Sequence, residues 1–231
     1  MPKIRIATFN CENLFARFKF NKNVDPEKAV KEGFDINMLS FELLSETEKK
    51  LTAKAIIALD ADVIALQEIE NLDVLKRFRS DRLKSMKYTF CMLVDGNDPR
   101  EIDVAVLSRF PLVATRSLGD LNDFLEPGQG TTTGIASLVN WPEAENVLER
   151  LPASERFTHF FERAPAGETK LRQLDYVLLS KSLAEATGAH PVLERRGLSP
   201  KATQVAGPRF PGVTAKLVAS DHCPLAIDVN L

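Results

Sequence analysis

The chain has 231 residues, with 30 Lys and Arg against 32 Asp and Glu and a net charge of −2. It is long enough for a buried core and carries no global field that would drive it onto polyanions. Apolar residues at 44%, charged residues at 27%, and 11 Gly with 13 Pro exclude a disordered or collagen-like chain.

Taken in order, Lys3 to Phe9 has Ile4 and Ile6 at strand period and runs straight into Asn10, so the chain opens inside a sheet. The stretch from Asn21 to Ser40 is polar and irregular. Ser45 with Glu48 forms a capping box ahead of Leu51, Ala55 and Leu59 on one helical face, predicting a helix that ends near Asp60. Val63 to Leu66 is a short apolar run closed by Gln67 and Glu68, the pattern of a buried strand emerging at a sheet edge. Asn71 can cap a second helix carrying Val74, Leu75 and Phe78. Strands are expected at Tyr88 to Leu93 and Ile102 to Leu107, either side of the turn-forming Asp95-Gly96-Asn97-Asp98-Pro99.

Gly119 to Gly134 reads as loop, Trp141 to Leu151 as a short helix after Pro142, and Phe157 to Phe161 and Gln173 to Ser180 as strands. Leu198 to Gly212 is loop again before a last strand at Leu225 to Val229. There is no internal repeat and no linker long enough to separate domains. No apolar run exceeds five residues, as in Ala55 to Leu59, against the ~20 of a membrane-spanning helix. The expectation is a soluble, cytoplasmic α/β protein without stable membrane insertion; its oligomeric state is left open.

Chemistry-bearing residues recur at strand ends: Asn10, Glu68, the cluster Gly119-Asp120-Leu121-Asn122-Asp123, Asp175, and the pair Asp221-His222. Singly, each reads as a turn former or a cap; together they suggest one rim. Cys11, Cys91 and Cys223 have no zinc spacing, and three His residues cannot build a His-rich cage. Carboxylates and amides on a rim suit Mg²⁺, a hard cation that prefers oxygen. A histidine beside such a site can stabilise developing charge or move a proton, and a carboxylate on its other nitrogen would fix its tautomer; Asp175 could supply it.

The chain resembles the endonuclease/exonuclease/phosphatase superfamily. The resemblance is carried by Ile6 to Asn10, Ala61 to Glu68, Ile102 to Arg109, Gly119 to Asp123, Gln173 to Leu178, and Ser220-Asp221-His222-Cys223-Pro224, in the family's order. It implies a four-layered α/β sandwich of two packed mixed sheets flanked by helices, with the site on one edge. It further implies that Glu68 is the principal Mg²⁺ ligand (Mn²⁺ being the alternative ion), with Asn10 and Asp221 close to the metal or its waters. On the same basis Asp120 orients the attacking water, Asn122 and Asn10 bind the scissile phosphate, and Asp175 partners His222, making Asp120, Asp175 and His222 the catalytic set. Glu12 is a further candidate metal contact, with a plain surface strand residue as the alternative.

The sequence departs from the family between the Arg109-Phe110-Pro111 turn and Gly119, where only the seven residues Leu112 to Leu118 stand. Family members carry further strands, a helix and extra phosphate contacts there. The expectation is a single domain over 1–231 with an internal deletion near 112–118 and some central strands missing. Arg109 and Arg116 lie at the join as substitutes for a phosphate contact or as solvated surface residues. His159, among aromatics in Phe157 to Phe161, reads as a packed strand residue. The functions implied are Mg²⁺-dependent hydrolysis of phosphodiester bonds, first of nucleic acid, then of inositol phosphates or phospholipids. The other class is a remnant that binds metal without turnover.

Overall fold

The computed structural model describes residues 2–14, 18–20, 41–43, 46–95, 102–113, 136–162, 169–196, 198, 209–214 and 217–230. Ser45, Arg116, Asp120, Asn122 and most of the 112–118 interval lie outside them, as does the predicted 119–134 loop. The fold is a mixed α/β sandwich. Its frame is a six-stranded sheet built from β1 (Lys3–Leu14), β4 (Val63–Ile69), β5 (Phe90–Val94), β6 (Asp103–Ser108), β11 (Val192–Leu193) and β12 (Leu225–Asn230), in the order β11-β12-β1-β4-β6-β5. β1 and β4 are parallel; every other pair in the sheet is antiparallel. Three two-stranded ladders complete the described strands: β2 (Phe18–Phe20) with β3 (Phe41–Leu43), β7 (Ala144–Asn146) with β10 (Leu178–Ser180), and β8 (His159–Glu162) with β9 (Thr169–Arg172).

Strand alternation sends side chains to two faces. Ala7, Phe9, Ile64 and Leu66 pack on one face against Leu51, Ala55, Ile56 and Leu59 of helix α1 (Glu46–Leu59) and Val74, Leu75 and Phe78 of helix α2 (Leu72–Arg82). Ile4, Ile6, Leu225, Ile227 and Val229 pack on the other against Val147, Leu148, Leu179 and Ala184. Asn71 caps α2 as the sequence predicts, its Oδ1 accepting from Val74 N at 3.0 Å.

Two predicted elements differ. Trp141 to Leu151 is not an α-helix: after Pro142 the chain forms β7, and Val147–Arg150 is a single 3₁₀ segment capped by Asn146. The ladder with β10 outweighs the helix signal of Glu143, Ala144 and Glu145. The predicted strand from Gln173 to Ser180 is cut to Leu178–Ser180, because the Leu174 and Asp175 amides donate to Thr158 Oγ1, each at 3.0 Å, instead of to a neighbouring strand.

Arg109 is the partly exposed residue that one of its two predicted roles describes, but it is ion-paired rather than simply solvated. It clamps Asp60 (2.6 Å), Asp62 (2.8 Å) and the Met86 carbonyl (2.9 Å). Ser108 pairs with Val63, so this clamp sits at the opening end of β4, opposite the end that carries Glu68.

Helix α1 also reaches the segment that precedes β12. The buried Thr52 hydroxyl lies 3.1 Å from Glu48 O within the helix and 3.0 Å from Ala219 O across the interface. Thr52→Val keeps the shape and leaves the Ala219 carbonyl without its side-chain donor, so we expect a loss of about 1–3 kcal/mol in urea unfolding. A change below about 0.5 kcal/mol would show that this contact does not hold the 219–222 segment.

Candidate active site

Topology alone gathers the site. Because β1 and β4 are parallel, their C-terminal ends, bearing Asn10 and Glu68, share one edge of the sheet. β12 runs antiparallel to β1 with Leu225 opposite Thr8, which delivers the preceding Asp221 and His222 to that same edge.

The register breaks there. Asn10 pairs with Gln67 and Leu14 with Ile69, so three residues of β1 face the single residue Glu68. Glu68 and Glu12 both take left-handed backbone, with φ of 61° and 47°. For residues with a Cβ this costs of order 1–3 kcal/mol each, and such strain persists where a side chain must be re-aimed. Here the bulge turns Glu68 toward Asn10, whose Nδ2 donates to Glu68 Oε1 at 3.2 Å while its Oδ1 accepts from Glu12 N at 3.0 Å. Asn10 is therefore engaged at both ends of its amide, and it fixes the Glu68 carboxylate.

Asp221 is tied to the same cluster. Its backbone N–H donates to Glu12 Oε2 at 3.0 Å. The buried Ser220 hydroxyl donates to Asn10 O at 2.8 Å and accepts from His222 N at 3.0 Å, riveting the 220–222 segment to the end of β1.

His222 and Asp175 form a buried pair, with Nδ1 2.8 Å from Oδ2, the contact expected from the sequence. Thr158, fully buried, sets the position of Asp175 by accepting from its amide. Burial works to lower the His222 pKa, yet the Asp175 charge and hydrogen bond, with Asp221 and Glu68 behind them, raise it to about 9. With Nδ1 held by Asp175, the Nε2 face is the one left toward Asp221 Oδ1, 4.0 Å away.

His159 is the packed strand residue that the sequence predicts, buried at the start of β8; what the sequence did not show is the group it faces. It lies directly across from His222 in an isolated antiparallel bridge. Its Nε2 is 3.4 Å from Asp221 Oδ2, and its ring centroid is 4.6 Å from that of His222. Strand period held the signal: Phe160 faces the core, so its neighbour must face the other way. Cys11 and Cys223 are buried beside Asn10 and His222, and burial pushes both thiols up, leaving them protonated small hydrophobes.

The donor set fits a hard divalent ion: Glu68 and Asp221 offer carboxylate oxygen at one sheet edge, and both already favour positive charge on His222.

A sequence model of the endonuclease/exonuclease/phosphatase family matches residues 7–222, a span that begins in β1 and ends on His222. The chain belongs to this family. Two solved family proteins share the fold. One, from Beutenbergia cavernae, is 13% identical, with 99% of this chain and 72% of that one covered at a TM-score of 0.53. The other, from Leptotrichia buccalis, is 12% identical, with 99% and 100% covered at 0.52. No curated protein matches the chain. Membership in the endonuclease/exonuclease/phosphatase family supports phosphoester-hydrolase chemistry in general.

The raised His222 pKa makes stability depend on pH. A group with a folded-state value of about 9 and an ordinary value of 6.5 binds more proton when folded between those limits. Its contribution is full below 6.5 and is lost as pH rises through about 9. We expect metal-free protein to lose roughly 1–3 kcal/mol across that window in urea unfolding, and Asp175→Asn to flatten the dependence. An equal slope in both proteins would remove Asp175 as its cause.

Proposed function

We propose that the protein is a Mg²⁺-dependent phosphoesterase that hydrolyses phosphodiester bonds, nucleic acid being its first substrate class. The observation that carries this reading is the meeting of the Asn10–Glu68 contact and the buried Asp175–His222 pair at one sheet edge. Bound Mg²⁺, with Mn²⁺ as the alternative ion, supplies Lewis-acid charge against a phosphoryl oxygen.

The chain's own residues supply the rest. Glu68, oriented by Asn10, and Asp221, oriented through Glu12 and Ser220, would hold the ion. His222 keeps a proton on Nε2, aimed at the negative charge that develops on the phosphoryl oxygens, while Asp175 prevents the ring from turning. Water attacks phosphorus in line and gives up one proton to solvent as the bond to the leaving oxygen breaks, and that oxygen takes up one proton from solvent, so the step balances. Asp120 as the group that orients this water, and Asn122 as a phosphate contact, complete the proposal from the sequence.

The short interval at 112–118 enters the same proposal, because it stands where the family carries further phosphate contacts. Loss of one positioned donor to developing charge typically lowers rate by ~10²–10³. Calorimetry should find Mg²⁺ binding that Glu68→Ala abolishes. Hydrolysis should fall well below that of a relative with the full interval, in a screen of nicked plasmid, single-stranded DNA, RNA and inositol phosphates. Mg²⁺ binding without turnover on any of them would reject the enzyme in favour of a metal-binding remnant, and turnover confined to inositol phosphates would reject the nucleic-acid assignment.

A further inference from the structure

The cluster of His159, Asp221 and His222 has a composition that the hard-ion site does not need. One donor atom from each lies within 4.8 Å of the others. His159 and His222 face each other as a cross-strand pair, and directly opposed residues of an antiparallel pair project to the same side. The pairing is fixed by backbone bonds on both flanks: Phe160 N to Asp221 O at 3.1 Å and Cys223 N to Thr158 O at 2.6 Å. Both imidazoles are buried, at 6% and 7% exposure, so little side-chain freedom remains to be lost on binding an ion.

Three physical arguments give this cluster an occupant. First, Mg²⁺ selects oxygen ligands, whereas imidazole nitrogen suits late first-row divalent ions, and two His with one carboxylate is a recurrent protein site for them. Second, four-coordinate Zn²⁺ with ligand bonds of about 2.0–2.1 Å places its donors about 3.3 Å apart. The separation from His159 Nε2 to Asp221 Oδ2 is already 3.4 Å, and the widest spacing, within 4.8 Å, has to close by at most about 1.5 Å. Third, metal-bound histidines usually donate their other ring N–H to a carboxylate, which fixes the tautomer. Asp175 occupies Nδ1 of His222 at 2.8 Å and thereby directs Nε2 into the cluster.

We propose that His159, Asp221 and His222 form a binding site for a late first-row divalent ion of the Zn²⁺ type, which adds two imidazoles to a carboxylate taken from the hard-ion site and leaves Glu68 out. Ligation by His222 Nε2 displaces the proton on that nitrogen to solvent. Asp221 is shared between the two sites, and His222 can no longer donate, so the ion switches off phosphoester hydrolysis. The inhibitory consequence rests on the phosphoesterase reading; the binding does not.

The test is a Zn²⁺ titration of the full chain by calorimetry, with and without excess Mg²⁺, alongside the visible spectrum of the Co²⁺-loaded protein. We expect one Zn²⁺ per chain that excess Mg²⁺ does not displace, and binding at least tenfold weaker in both His159→Ala and His159→Gln, each checked for native circular dichroism. Glu68→Ala should retain Zn²⁺ while losing Mg²⁺. The Co²⁺ spectrum should show nitrogen and oxygen ligation without sulfur charge transfer. Unchanged Zn²⁺ affinity in a folded His159→Gln protein, or a thiolate band pointing to the cysteines, would overturn the site. Loss of both ions together in Glu68→Ala would show a single centre. If Zn²⁺ binds as expected but the protein hydrolyses no phosphoester with Mg²⁺, the catalytic reading fails and the metal site stands.

Discussion

The parallel pairing of β1 with β4, broken by a bulge at its C-terminal end, is the constraint on which the site depends. Parallel strands end on the same edge, so Asn10 and Glu68, 58 positions apart in sequence, come within 3.2 Å. The left-handed turn at Glu68, with φ of 61°, re-aims a side chain that regular alternation would send to a face of the sheet. The strain is local; the buried Phe9, Leu66 and Ile69 on either side anchor it in the core. A residue free to relax would return to extended backbone and carry the carboxylate away from Asn10.

A second layer of small hydroxyls aligns the remaining groups. Ser220 ties the segment bearing Asp221 and His222 to the end of β1, and Thr158 gathers the turn bearing Asp175. Neither hydroxyl is offered as a reacting group. Each uses its donor or acceptor capacity to stitch backbone that lies outside the regular strands, which is how a site assembled from loops acquires the precision of a site built on strands. Asp175 then does for His222 what Asn10 does for Glu68: it fixes one end of the side chain and leaves the other for chemistry.

Much of this was legible in the sequence, and the reasons differ by residue. Glu68 stands out because a buried apolar strand ends abruptly in two polar residues, and Asp175 and His222 because their neighbours form recognisable short patterns. The Asn71 cap was legible because capping is local chemistry: it needs only the three residues that follow it. What could not be read depends on partners distant in sequence. The loss of strand between Gln173 and Val177 requires Thr158, and β7 requires β10. His159 is packed in its strand as its aromatic neighbours suggest, but its place beside Asp221 and His222 depends on a bridge to a segment distant in sequence. Asp120 and Asn122 fall outside the described residues, so their roles rest on the sequence pattern alone.

If a divalent ion sits at the edge that Asn10, Glu68 and Asp221 share, Mn²⁺ bound there should broaden the NMR signals around it by paramagnetic relaxation. Asn230 closes the far end of β12, opposite Lys3 at the start of β1, so its side-chain amide is an internal control within the same sheet. On substoichiometric Mn²⁺ addition, the Asn10 side-chain amide and the His222 ring signals should broaden first, while the Asn230 amide keeps its intensity. Equal broadening of Asn10 and Asn230, or broadening that spares Asn10 and His222, would mean that no ion binds at this edge.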